Sequence, residues 1–340
     1  MPKYFAILFG NDLNLANTEL QAILDYIDEG VSKIPVKRFV TFDSNHNPIQ
    51  FIRNRAALVR ETGYIVQEAP SGEALIASIS KDSLKEYVSR EQTFSVRVRN
   101  IGDKQESRSP RIEKRIGKVI EQQAGASVSL ENPDVRFLVV IDDHRQVLVT
   151  SEQSIARESI EERRPRNRAF FHPSIMNTSL ARAMCNIAKI DRESLVVDPF
   201  CGAGGILSEA VGLASSVVGI DRNWTLLAGA RENLKKLKRE NYSLVQADAR
   251  RLSMSSCDSV VTDPPYGRTS STRGVEAIRL VRAFLEFVLE EKIVEKSLCI
   301  CASLQMGVSE LVMNMGLEIR YHVKSRVHKS LTREVICIEF

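Results

Sequence analysis

The chain has 340 residues, of which 43 % are hydrophobic and 26 % are charged, and its formal net charge is +4. This composition is that of a folded globular protein and excludes disordered, collagen-like and disulfide-scaffold classes. The length exceeds what one hydrophobic core usually organises, so two or three domains are expected. No window approaches eighteen consecutive apolar residues, and the apolar run at 4–9 is too short for a signal peptide. The sequence predicts a cytoplasmic protein without a membrane span.

The first seventy residues predict a small α+β module. Apolar runs at 4–9, 38–42 and 56–60 are strand candidates, and residues 18–26 have helical periodicity. Asn17 is placed to cap that helix.

A second α+β unit is predicted at 71–151. Its elements are helices at 72–80, 83–91 and 110–123 and strands at 93–99, 135–141 and 146–150. A polar turn joins the last two strands, which indicates a closing β-hairpin. The arginine-rich stretch at 152–169 that follows is predicted to be a linker.

From residue 170 to the carboxyl terminus, strands and helices alternate strictly. The predicted strands are 195–198, 217–221, 244–246, 260–263 and 298–303, and a helix is expected to begin at Gly204. Alternation of this kind is typical of a parallel, doubly wound sheet. The last two strands, 317–324 and 334–339, leave no room for a crossover helix, so they predict a hairpin with one antiparallel strand.

A glycine-rich loop follows the first strand of this half. Gly202 and Gly204 allow a ligand to approach the backbone closely at the start of a helix, which predicts a nucleotide-like ligand. A dinucleotide fingerprint requires a further glycine where Leu207 stands, so NAD fits poorly.

Three acidic residues follow three successive strands. Asp198 would repel a pyrophosphate but attract a cationic amine or sulfonium, Asp221 is placed to accept from ribose hydroxyls, and Asp248 to accept from an adenine amino group. Around one glycine loop, these acids fit S-adenosylmethionine. Its sulfonium carries its own activation, so no metal is predicted.

The segment Asp263-Pro264-Pro265-Tyr266 ends the fourth strand, where open α/β sheets place their substrates. An exocyclic amine on a base is a poor nucleophile until its two N–H bonds are held out of conjugation. Asp263 offers a carboxylate acceptor, and the rigid proline pair fixes the backbone so that the Pro264 carbonyl can be the second. Tyr266 offers a flat face for stacking the base, which must leave its helix to reach this site.

These residues resemble the class I S-adenosylmethionine-dependent methyltransferases of the exocyclic-amine type. The runs at 94–99 and 128–137 resemble a THUMP domain, an RNA-binding module. Residues 166–174, 180–182 and 327–333 are similar to the archaeal and eukaryotic tRNA guanine N2-methyltransferases that act on position ten.

The resemblance implies a fold and a domain order. A Rossmann-like class I methyltransferase domain with seven strands, its last hairpin antiparallel, would follow α+β ferredoxin-like and THUMP domains. The implied boundaries are a ferredoxin-like domain at 1–70, a THUMP domain at 71–151, a linker at 152–169 and the methyltransferase domain at 170–340.

The resemblance also implies roles for individual residues. Asp263, Pro264, Pro265 and Tyr266 would form the catalytic motif. The cofactor contacts would be Asp198, Gly202, Gly204, Asp221 and Asp248, with Phe170, Phe171, His172 and Thr178 lining the cofactor pocket. Relatives often have a proline near Asn177-Thr178, and this chain departs from them there.

Affinity for tRNA is expected from cationic side chains of the second unit that neutralise phosphates. They are Arg97, Arg99, Arg108, Arg111, Lys114, Arg115 and Lys118. Lys114, Arg115 and Lys118 share one helical face by their spacing. Arg268 and Arg273 follow the catalytic motif and are further candidates for phosphate contacts.

Other assignments stay open at this stage. THUMP-type relatives also methylate tRNA position six or rRNA guanine N2, and a catalytically silent RNA-binding protein could retain the same fold. In the usual methyltransferase strand order, the third strand, near Leu244, is an open edge that could pair with another chain. Some relatives bind a small zinc-containing activator protein, which is predicted as a partner at that edge.

Overall fold

The computed structural model describes residues 2–28, 31–102, 110–250, 255–266, 271–328 and 331–340. The chain separates into two compact units. Unit 1 comprises Met1–Phe9, Ile27–Asn54 and Val59–Ile155, and unit 2 comprises Gly10–Tyr26, Arg55–Leu58 and Ala156–Phe340. Within the described ranges, no helix is both long enough and apolar enough to cross a membrane.

The amino-terminal part of the chain alternates short strands and helices. In order these are β1 (Lys3–Leu8), α1 (Leu13–Ile27), β2 (Phe39–Asp43), α2 (Ile49–Arg55), β3 (Val59–Ala69), α3 (Gly72–Ser78), α4 (Lys81–Leu84), β4 (Thr93–Asn100), α5 (Pro110–Ala124), β5 (Ser127–Val128), β6 (Val135–Asp142), β7 (Arg145–Thr150) and β8 (Glu152–Gln153). The strands form one sheet in the order β2-β1-β3-β7-β6-β4-β5, and β8 pairs with β3.

The strand β3 connects the two predicted amino-terminal domains. One edge of β3 pairs antiparallel with β1 and the other with β7. Strands from both predicted domains therefore belong to one sheet. The domain boundary between residues 70 and 71 stays a prediction. α5 packs on this sheet through Ile112, Ile116 and Ile120, whose spacing of four residues places them on one helical face.

The amino-terminal helix differs from its prediction. α1 begins at Leu13, not at 18, and the Asp12 carboxylate accepts from the Leu15 N–H at 3.0 Å. The predicted cap Asn17 is wrong, because Asn17 lies inside the helix and is buried. The helix α2 was not predicted, and the strand expected at 56–60 runs instead over Val59–Ala69.

A buried carboxylate connects α1 to other segments of unit 2. The Glu19 carboxylate is fully buried and accepts from the N–H groups of Ala57 and Leu58, each at 2.8 Å, and from the Asn186 side chain at 2.7 Å. A buried carboxylate requires such partners, so it holds the helix to these segments.

The carboxyl-terminal part contains the second sheet. Its elements are α6 (Ile155–Glu162), α7 (Thr178–Ile187), β9 (Leu195–Asp198), α8 (Leu207–Ala210), β10 (Ser216–Asp221), α9 (Trp224–Lys236), β11 (Tyr242–Gln246), β12 (Cys257–Thr262), α10 (Ser271–Glu291), β13 (Val294–Ser303), α11 (Val308–Asn314), β14 (Ile319–His328) and β15 (Leu331–Glu339). A short 3₁₀ turn at Pro165–Asn167 precedes α7.

The second sheet has seven strands in the order β11-β10-β9-β12-β13-β15-β14. The pairs from β11 to β13 are parallel, and β15 is antiparallel to both β13 and β14. This confirms the predicted seven-stranded, doubly wound sheet with a closing hairpin. The connections leave β9 toward β10 on one side and return to β12 on the other, so a crevice opens at the carboxyl ends of β9 and β12.

Candidate active site

A cavity of about 590 Å³ lies at that crevice in unit 2. The ends of three parallel strands contribute to it: Asp198 ends β9, Asp221 ends β10, and Asp263 directly follows β12. The structure brings together most of the predicted site here, since the lining includes Asp198, Gly202, Asp221, Asp248, Asp263, Pro264, Pro265 and Tyr266.

Asp198 is buried at the base of the cavity, with 1 % of its surface exposed. Its Oδ1 atom accepts from the Thr262 hydroxyl at 2.7 Å and from the Phe200 N–H at 3.2 Å. Burial raises the pKa of Asp198 to about 7, and the charges of Asp263 and Asp221 add to the increase. A cationic ligand would therefore stabilise the ionised carboxylate.

The loop after β9 needs its glycines for different reasons. Gly202 and Gly204 have φ angles of 53° and 79°, which side-chain-bearing residues rarely adopt. The Gly202 N–H donates to the Asp221 carboxylate at 2.9 Å, and Gly202 lines the cavity. A Cβ atom on Gly204 would lie 3.2 Å from that of Ala230, so Gly204 permits close packing against α9.

Asp248 already has a cationic partner. Both of its oxygens accept from the Arg250 guanidinium, at 2.9 and 2.6 Å, and Arg222 lies 3.8 Å away. The bonds from Arg250 hold the pKa of Asp248 well below its usual range. Asp248 thus lines the cavity as a carboxylate that stays ionised.

Tyr266 connects the segment after β12 to its surroundings. The Tyr266 hydroxyl donates to the Asp263 carboxylate and lies 3.5 Å from the Cys301 sulfur. Burial raises the pKa of Tyr266 far above its ordinary value, so the phenol stays neutral. Pro264 is buried and Pro265 is exposed. A flat, neutral ring therefore stands beside the Asp263 carboxylate.

Comparison with known proteins identifies this arrangement. Residues 165–334, half of the chain, match the family described as RMKL-like, methyltransferase domain, and residues 74–150 match the THUMP domain. The chain belongs to the THUMP-containing, RMKL-like methyltransferases. The family predicted from the sequence is confirmed.

Relatives match this methyltransferase over almost its whole length. A tRNA (guanine(10)-N2)-dimethyltransferase of Methanothermobacter thermautotrophicus is 31 % identical and covers 96 % of each chain. The protein of the same name from Methanocaldococcus jannaschii is 28 % identical and covers 97 % of each. The crystal structure of TrmN from Thermus thermophilus has the same fold, with a TM-score of 0.54 at 20 % identity over 99 % of each chain.

Five residues predicted to contact the cofactor or line its pocket are not among the cavity-lining residues: Phe170, Phe171 and the three described next. Gly204 is one, as described above. His172 is half-buried, and its Nδ1 atom lies 2.6 Å from the Ser174 hydroxyl. Thr178 is buried at the start of α7 and donates to the Arg163 carbonyl at 3.0 Å. Their neighbours Pro173 and Met176 do line the cavity, and the cofactor roles of the three residues stay predictions.

Arg333 is a cavity-lining residue to which the sequence interpretation gave no role. It belongs to β15, and its guanidinium carbon lies 5.6 Å from the centroid of the Tyr266 ring. The available signal was its position at the end of the similar segment 327–333, but nothing local indicated that it faces the catalytic motif.

A second cavity of about 670 Å³ adjoins the motif at Pro265. Its lining includes three arginines, Arg222, Arg250 and Arg279, and one acid, Glu276. Arg268, predicted to contact phosphates, and the side chain of Arg273 lie outside the described residues.

The predicted RNA-binding residues of unit 1 fall into two groups. Arg99, Arg97 and Arg115 pair with acids, namely Glu61, Glu113 and Glu73. Arg111, Lys114 and Lys118 are exposed on α5, and Arg108 lies outside the described residues.

Proposed function

We propose that this methyltransferase transfers methyl groups from S-adenosylmethionine to the N2 amine of guanosine 10 in tRNA. The observation that carries the proposal is the placement of Asp263 and Pro264 at the end of β12, in one cavity with the buried acid Asp198. The near-full-length similarity to two tRNA (guanine(10)-N2)-dimethyltransferases supports the substrate.

The cavity residues fit the cofactor. The backbone at Gly202 allows the cofactor to approach closely, and a cationic group would favour the ionised form of Asp198. The Asp221 carboxylate holds the loop by accepting from the Gly202 N–H. S-adenosylmethionine supplies an activated methyl group on its sulfonium. The protein holds this group and orients the acceptor toward it.

Asp263 and Pro264 would hold the two N–H bonds of the acceptor amine. A carboxylate and a backbone carbonyl are both acceptors, and bonding both hydrogens turns the nitrogen lone pair toward the incoming methyl group. Tyr266 fixes the carboxylate by its hydrogen bond and offers its ring to the base. The negative charge of Asp263 also stabilises the positive charge that develops on the nitrogen.

Cationic surfaces support delivery of RNA to this cavity. Arg222, Arg250 and Arg279 line the groove beside Pro265, where the sugar–phosphate backbone of an extruded nucleotide would pass. In unit 1, the exposed side chains Arg111, Lys114 and Lys118 are suited to phosphate contacts. Arg97, Arg99 and Arg115 would contribute phosphate contacts only by exchanging their acidic partners for phosphates.

A protein partner at β11 and a cytoplasmic location belong to the same proposal. β11 is the edge strand of its sheet, and Val245 on it is 45 % exposed, which suits pairing with a small zinc-binding activator protein. All six cysteines are free and buried, consistent with a reducing compartment. Failure of the activator to copurify on coexpression would contradict the partner.

Mass mapping of modified tRNA tests the function. The protein, its activator and labelled S-adenosylmethionine would be incubated with tRNA and rRNA pools, and the masses of the nuclease fragments would be measured by mass spectrometry. We expect one or two added methyl groups on guanosine 10 and no label when that nucleotide is adenosine. Label at position six or in rRNA would assign a different substrate, and no label at all would indicate a silent RNA-binding protein.

The variant Asp263→Ala tests the catalytic motif. We expect transfer to fall by about 10²-fold or more, because one amine hydrogen loses its charged acceptor. Asp258→Asn, at the other end of β12, is the matched control and should keep full activity. Equal rates for Asp263→Ala and the parent, with cofactor affinity unchanged, would refute the role of Asp263.

A further inference from the structure

The catalytic motif by itself does not choose the nucleobase. Asp263 and Pro264 accept from an aromatic amine, and both guanine N2 and adenine N6 are such amines. Guanine differs by its O6 acceptor, where adenine carries its donor amine. A residue that selects guanine should therefore present a hydrogen-bond donor to the cavity beside the motif.

Arg333 meets this requirement. It lines the cavity, and its guanidinium carbon lies over the Tyr266 ring, the side chain proposed to stack on the base. Strand pairing places Arg333 there. In β15 it pairs with Ser303, at the carboxyl end of β13. Cys301, two residues earlier in β13, contacts the Tyr266 hydroxyl.

The Arg333 side chain has an unused donor. Its Nε atom is buried, and nothing in the described part of the chain accepts a hydrogen bond from it. Leaving a buried donor unpaired costs about 1–3 kcal/mol, so a movement of the guanidinium that gives it an acceptor in the cavity would be favourable. Arginine is also a donor only and cannot accept from an adenine amine.

We propose that Arg333 is the specificity-determining residue for guanine, donating to O6 while Asp263 and Pro264 hold N2. This inference rests on the proposed function and deepens it. Guanine supplies an acceptor for the guanidinium, whereas adenine bound by N6 offers no such oxygen. The stack on Tyr266 holds the guanidinium beside the motif before the base arrives.

The test compares guanine with 2-aminopurine, which keeps the 2-amino group but has hydrogen in place of O6 and no hydrogen on N1. The share of the preference that depends on Arg333 is the contact to O6. In tRNA carrying either base at the methylated position, the parent protein should prefer guanine in kcat/KM by about 10- to 100-fold, the effect of a hydrogen bond from a charged donor. Equal use of the two bases would overturn the proposal.

Arg333→Met removes the donors and retains a long side chain. We expect kcat/KM for guanine to fall by about 10- to 100-fold, 2-aminopurine to change little, and the preference to shrink by the same factor. Arg333→Lys, which restores a cationic donor, should recover part of it. Equal losses for both bases would assign Arg333 a merely structural role and overturn the proposal.

Arg320→Met is the matched control. Arg320 stacks on Tyr321 at 5.7 Å, much as Arg333 stacks on Tyr266, but it is not a cavity-lining residue. Its substitution should leave the base preference unchanged; a loss equal to that of Arg333→Met would refute the inference.

Cofactor affinity and thermal unfolding verify the fold of each variant. If the parent methylates no tRNA guanosine, the proposed function fails; if it methylates guanosine without discriminating 2-aminopurine, only this inference fails.

Discussion

Asp198 carries a free-energy cost that a bound cation can remove. Its pKa is about 7 in the folded protein, against an ordinary value of 3.8. Between these pH values the folded state holds a proton that the unfolded state has lost, so stability falls as the pH rises, by about 1.4 kcal/mol per unit. Above about pH 7 both states are ionised and the cost is constant.

The variant Asp198→Asn should separate stability from cofactor binding. Because asparagine stays neutral, its advantage over the parent in free energy of unfolding should grow by about 2 kcal/mol between pH 5.5 and pH 8. At pH 8 affinity for S-adenosylmethionine should fall by about 10-fold or more, since asparagine cannot supply the anion proposed to face the cation, and at pH 5.5 the loss should be smaller because the parent is mostly protonated there. Urea unfolding and calorimetric titration at both pH values measure the two effects.

Asp258→Asn is the control for this comparison. The Asp258 carboxylate pairs with Lys296 at 2.8 Å, and its pKa is lowered despite partial burial. It stays ionised at both pH values, so its stability difference from the parent should be constant. A constant difference for Asp198→Asn as well would show that Asp198 ionises at an ordinary pH.

At the scale of elements, α9 supports the segment that borders the cofactor cavity. The Asn233 side chain accepts from the Phe170 N–H at 2.9 Å and donates to the Phe170 carbonyl at 3.1 Å. The Phe170 ring occupies the space over Gly229, where a Cβ atom would overlap it. α9 thereby fixes the backbone that continues to Pro173 in the cavity wall.

The same substitution in two helices should have opposite effects. Gly229→Ala should destabilise the protein by about 1–3 kcal/mol and weaken cofactor binding, because the Phe170 ring must move. Gly117→Ala in α5, where an added Cβ meets nothing within 4 Å, should stabilise by about 0.5–1 kcal/mol through helix propensity. Thermal unfolding of each variant checks both signs, and equal stabilisation of the two would refute the packing role of Phe170.

Features set by local sequence could be predicted, and features set by distant contacts could not. Asp198, Asp221 and Asp263 follow apolar strands in a parallel sheet, so their convergence followed from the alternation alone. Arg333 reaches Tyr266 only because the closing hairpin returns beside β13, and no local pattern encodes that contact.

Helix boundaries show the same limit. Asn17 and Asp12 both suit a helix start, and the contacts of the α1 helix with later segments favour the earlier one. The helix expected from Gly204 begins at Leu207, since Gly204 takes a left-handed backbone conformation.

For the whole molecule, the cavity with its catalytic motif and the α5 cations proposed to bind RNA phosphates lie in different units. The cavity and the catalytic motif lie in unit 2, whereas the exposed cations of α5 lie in unit 1. Phosphate contacts determine affinity and its salt dependence, while contacts to the base determine which nucleotide reacts. Charge removed from α5 should therefore weaken tRNA binding without changing the choice of base.

The double variant Lys114→Gln and Lys118→Gln tests this division, against Lys33→Gln and Lys37→Gln, which remove the same charge from exposed positions elsewhere in unit 1. If α5 contacts phosphates, only the first pair should lower tRNA affinity and reduce the slope of log affinity against log salt, by about 1–2. Filter binding over a salt series measures this. Equal slopes for the two pairs would mean that net charge, and not a docking site on α5, attracts the RNA. Methyl transfer at saturating tRNA should stay at the parent rate, because neither lysine lines the cavity.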